Sequence, residues 1–63
     1  MWNFIAEFEN KVFVFCETME DAIKDQKRLI KGGIFSNMST EYTELWTLEI
    51  PYSNKDEVLE VLE

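Results

Sequence analysis

The chain has 63 residues, enough for one small domain and too few for a two-domain enzyme. Thirteen acidic residues stand against six basic ones with no histidine, a net charge of -7, which disfavours nonspecific attraction to a phosphate backbone. Hydrophobic residues make up 46% and only one proline and two glycines are present, a composition that excludes disorder and requires a packed fold.

Residues Trp2 to Phe8 alternate, with Trp2, Phe4, Ala6 and Phe8 on one side and Asn3, Ile5 and Glu7 on the other, and a second β-rich run follows from Lys11 to Cys16. Glu9-Asn10 is the turn between them, because Asn tolerates the left-handed conformation of a tight hairpin. Two registers are open at this point. A two-residue loop pairs Phe4 with Phe15 and Ala6 with Phe13. A bulged three-residue loop pairs Glu7 with Lys11 and moves Phe13 and Phe15 to the Ile5 face.

Thr18 is placed to cap a helix whose first turn carries Glu20 and Asp21 at the positive end of the macrodipole. Met19, Ala22, Ile23, Gln26, Leu29 and Ile30 fall at the spacing of one apolar stripe. Lys27, Arg28 and Lys31 crowd the last turn, and Gly32-Gly33 ends the helix by supplying positive φ. A short strand is expected over 34–38 and a longer one from Tyr42 to Ile50, with Ser39-Thr40-Glu41 as the turn. On the longer strand Tyr42, Glu44, Trp46, Leu48 and Ile50 share a face, of which Trp46, Leu48 and Ile50 should point inward. Pro51 stops that strand. Ser53 or Asn54 then opens a last helix in either of two capping-box registers, with Val58, Leu59 and Leu62 as its buried stripe.

The predicted fold class is therefore α+β over residues 1–63. A four-stranded antiparallel sheet in ββαββα order is covered by one main helix, with a short C-terminal helix beside it or at an edge. The repeated ββα order, at about 35 residues, is shared architecture with minimal identity between the halves.

Chemistry is scarce. Without histidine there is no Ser-His or Cys-His pair and no imidazole metal site. Cys16 has no second thiol to pair with and reads as a small buried hydrophobe of a reducing, cytoplasmic compartment. The carboxylate pairs Glu20/Asp21 and Asp56/Glu57 are explained as helix caps, Gly32-Gly33 as a stop signal, and no calcium-loop pattern is present. The expectation is a protein with no catalytic residues, no metal and no cofactor. The longest uncharged, mostly apolar run is far short of the roughly 20 residues a membrane helix needs, so no membrane partner is expected.

Charge placement is the remaining signal. Residues 1–40 hold six acids and five bases, whereas residues 41–63 hold seven acids and only Lys55. Acids interleaved with Tyr42, Trp46 and Tyr52 suit a basic protein surface, of the kind that holds nucleic acid. The sequence thus points to a non-enzymatic acidic protein that blocks or modulates such a surface on a larger protein, as an inhibitor or antitoxin-like antagonist. That role would suit a virus or mobile element. Its partner-binding residues would be Tyr42, Glu44, Trp46, Glu49, Glu57 and Glu60. The alternative is a homodimeric structural or assembly module, built on apolar side chains on both faces of the first hairpin, with charge serving solubility alone. Direct nucleic-acid contact through Lys24, Lys27, Arg28 and Lys31 is a third reading, disfavoured because these bases complement the helix dipole and pair with Glu20 and Asp25.

Overall fold

In a computed structural model, which describes residues 2–41, 44–52 and 54–63, the elements run β1 (Trp2–Phe8), β2 (Lys11–Cys16), α1 (Met19–Lys31), β3 (Asn37–Ser39), β4 (Trp46–Ile50) and α2 (Lys55–Leu62). The strands form one antiparallel sheet in the order β1-β2-β4-β3, which makes β1 and β3 its edges. The α+β architecture expected from the sequence is present.

The first hairpin takes the two-residue register, with Phe4 opposite Phe15, Ala6 opposite Phe13 and Phe8 opposite Lys11. Glu9 and Asn10 both have positive φ, 52° and 64°, the conformation a two-residue turn needs to match the strand twist. A register shift between Trp2 and Phe4 then sets Trp2 opposite Cys16. Trp2 therefore does not share the Phe4 face as its alternation implied; the irregularity turns it to the opposite side, where it packs against the core.

Pairing across the sheet sorts the side chains into two faces. Val12, Val14 and Cys16 lie opposite Ile50, Leu48 and Trp46, and with Ala22, Leu29, Ile34, Val58 and Leu62 they build the core under both helices. Trp46, Leu48 and Ile50 thus point inward as expected, Trp46 only half-buried. The other face carries Phe4, Ala6, Phe8, Lys11, Phe13, Phe15, Thr47 and Glu49, and neither helix contributes to it.

Helix α1 starts as its sequence dictates, with the Asp21 backbone N–H donating to the Thr18 hydroxyl at 3.1 Å. Its buried stripe is Ala22, Asp25 and Leu29, however, and Met19 and Ile30 are exposed. The helix is rotated by under a quarter turn from the apolar prediction because a charged residue, Asp25, takes a position facing Cys16. At the other end Gly33, at φ 81°, donates to the Ile30 carbonyl at 2.9 Å, and Ile34 donates to the Leu29 carbonyl at 2.8 Å. This is a complete Schellman stop, in which Ile34 and Leu29 also meet in the core. With its N–H committed to the helix end, Ile34 does not enter a ladder. The strand expected over 34–38 is accordingly reduced to Asn37–Ser39.

Strand β4 is also shorter than the Tyr42 to Ile50 run, beginning at Trp46 after a bend at Glu44 and Leu45. Tyr42, Thr43 and Ser53 lie outside the described residues. Asn54 occupies the N-cap of α2, but its side chain accepts no hydrogen bond among the described residues, so the capping-box register through Asn54 and Glu57 is not formed, while the one through Ser53 lies outside the described residues. Val58 and Leu62 are buried as expected and Leu59 partly so. The helix packs beside α1 and against β1, with Val61 over Gly32, where a Cβ would come within 2.9 Å of the valine Cγ2.

Candidate functional site

The cluster of polar groups inside the core is the first place to look for chemistry. Asp25 is 1% exposed; its Oδ2 accepts from the Cys16 thiol at 3.6 Å, and its Oδ1 lies 3.8 Å from Arg28 Nη1. Burial, with the neighbouring Asp25 carboxylate adding to it, pushes the Cys16 thiol up to about 12. A thiol so held is protonated at neutral pH, the opposite of what nucleophilic or metal-binding cysteine requires. Asp25 was not expected inside. Its i, i+3 spacing to Arg28 indicated the ion pair, but nothing in an apolar count indicates a buried carboxylate.

Among the described residues no group of three histidine, cysteine, aspartate or glutamate side chains is arranged to hold a metal ion, and no helix is long and apolar enough to cross a membrane. The helix bases behave as their spacing implies: Lys24 pairs with Glu20 at 3.3 Å and Arg28 with Asp25.

Of the six residues expected to bind a partner, the five among the described residues are not gathered on one surface. Trp46 opposes Cys16 on the core side of the sheet, whereas Glu49 opposes Phe13 on the helix-free face and pairs with Lys11 at 3.7 Å. Glu44 is exposed in the bend before β4. Glu57 and Glu60 are exposed on α2, three residues apart and so on one flank, with Asp56 beside them in the first turn. Tyr42 is not among the described residues.

Two features complement that acidic flank. Glu7 of β1 joins Asn54, Lys55, Asp56 and Glu57 in lining a groove of about 470 Å³, open to solvent, where the first turn of α2 meets the sheet edge. On the other side of the same strand Phe4 and Phe8 are 49% and 64% exposed. Phe4 stacks on Phe15 at 4.6 Å between ring centroids, and Phe15 on Phe13 at 6.4 Å. The alternation of β1 together with the two-residue loop already carried this aromatic row. The structure adds that both helices lie on the opposite face.

The chain matches no protein-family model, no curated protein and no solved structure.

Proposed function

We propose that the protein is a non-enzymatic binding protein that covers a basic surface of a larger protein in the cytoplasm and so inhibits or modulates it. The observation that supports this reading best is the flank of α2. Asp56, Glu57 and Glu60 are exposed together there, and no ion pair among the described residues engages Glu57 or Glu60. Carboxylates left in water around a partly apolar surface speed encounter with a cationic partner and select against anionic ones, nucleic acid included. Across the edge of β1, the exposed Phe4 and Phe8 add the contact area that charge alone does not.

The test is retention of basic proteins from a cell lysate on the tagged chain at moderate salt. A stoichiometric basic partner should be retained by the parent and lost by the Glu57→Lys, Glu60→Lys double variant, with circular dichroism showing both folded. Equal retention by the two, or none by the parent, would remove the acidic flank from the account. A homodimeric assembly module is the second reading, favoured by the exposed phenyl rings on a sheet face without a helix layer. A tight dimer by light scattering together with no retained partner would select it.

A further inference from the structure

The outer edge of β1 has a determinable pattern. Phe8 and Lys11 flank a two-residue turn and so exchange both of their backbone hydrogen bonds, which makes Ala6/Phe13 and Phe4/Phe15 the next hydrogen-bonded pairs inward. By alternation, Ile5 directs its N–H and C=O away from β2. Strand β1 is the last in the sheet order, so among the described residues that edge meets no further strand. Sheet edges of this length are ordinarily blunted by lysine, proline or a covering segment. Residues 2–8 contain neither lysine nor proline; their one charge is Glu7, on the helix side, and their one irregularity lies at the Trp2 end, so the backbone at Ile5 sits between the two.

We propose that β1 is a docking strand, and that its occupant is an extended segment of a basic protein, added antiparallel or parallel beside Ile5. Such a segment would have cationic side chains alternating with apolar ones. The proposal rests on the acidic-binding reading above and specifies its mode. A strand laid along this edge presents alternate side chains to the two faces of the sheet. Those on the helix side enter the groove lined by Glu7, Asp56 and Glu57, against which Lys55 sets a single positive charge. Asn54 lines the same groove, and its Oδ1, shielded from solvent, has no hydrogen-bond partner among the described residues. Side chains on the other side of the added strand lie beside Phe4 and Phe8, which are partly exposed on the helix-free face. Each copy carries a net charge of -7, and that mutual repulsion disfavours a second copy here.

A ten-residue peptide of alternating lysine and valine is the probe, compared with its glutamate-valine counterpart and with a lysine-valine peptide N-methylated at its central residues, which keeps the charge and blocks both edges. The lysine peptide should bind and slow hydrogen exchange of the Ile5 amide at least tenfold at saturation. Each control should bind at least tenfold more weakly, as should the lysine peptide to the Asp56→Asn, Glu57→Gln variant. Absence of binding, equal binding of the methylated peptide, or an unchanged Ile5 amide would overturn strand addition. So would a peptide-free chain that is dimeric with Ile5 already protected. If the methylated peptide binds equally well but is lost with Glu57→Lys, Glu60→Lys, strand addition alone falls and the acidic surface stands. If no basic partner or peptide responds to those reversals, the acidic surface itself falls.

Discussion

Cys16 shows how a single side chain's surroundings decide its chemistry. The thiol is shut in by the sheet and α1 and faces a carboxylate, both of which oppose loss of its proton. Alkylation by iodoacetamide at pH 8 should therefore be slow in the folded chain and fast in denaturant, and a mass-spectrometric time course reads the difference directly. The same environment has a consequence for stability. An unfolded cysteine ionises near 9, the folded one near 12, so above pH 9 the unfolded chain gives up a proton that the folded chain retains. The contribution is intact below pH 9 and is lost as pH rises toward 12. Thermal midpoints should fall across that window more steeply in the parent than in Cys16→Ser. Trp46 belongs to this scale too: it packs on the core beside the same cysteine, and its truncation to alanine should cost roughly 3 kcal/mol, which circular dichroism with denaturant would measure. A binding defect in that variant would report the fold.

Elements were legible where local chemistry and burial agree. Thr18, the acidic first turn and Gly32-Gly33 bracket α1 because a cap, a dipole and a positive φ are all local requirements. Two substitutions in such places should have opposite signs. Gly33→Ala forces a side chain into φ 81° and should destabilise by about 1 kcal/mol, while Glu9→Asn with Asn10→Gly should stabilise by a similar ~1 kcal/mol, because it puts the favoured residues in two left-handed positions. Urea midpoints at constant slope distinguish them. Less legible was anything set by nonlocal competition. The strand register shift at Trp2, the inward turn of Asp25 and the loss of Ile34 to the helix stop each depend on a partner distant in sequence or on a hydrogen bond already spent. The residues proposed to bind a partner were legible one by one but not as a surface: Glu57 and Glu60 share a flank because three residues is nearly one helical turn, while alternation alone already set Trp46 and Glu49 on opposite sides of β4.

At the scale of the whole molecule, both helices lie on one face of the sheet; on the other Phe13, Phe15 and Thr47 are buried while Phe4 and Phe8 are exposed, and α2 presents Asp56, Glu57 and Glu60 on one flank. Binding driven by such a field should weaken as salt rises. Reversal of Glu57 and Glu60 should slow association and flatten the dependence of the association rate on ionic strength, with dissociation less affected. Stopped-flow measurements at several salt concentrations would show it. A slope equal to the parent's would place the steering charges elsewhere.

The displacement of Trp2 to the core side leaves both indoles flanking one thiol, in a row across β1, β2 and β4. Intrinsic emission from this molecule is therefore a single-ended gauge. Excited selectively, the indoles report loosening of the layer beneath the helices, and an event confined to the phenylalanine side leaves their emission unchanged. An emission titration that stays flat while calorimetry registers heat would locate the contact on the far side of the sheet from both chromophores.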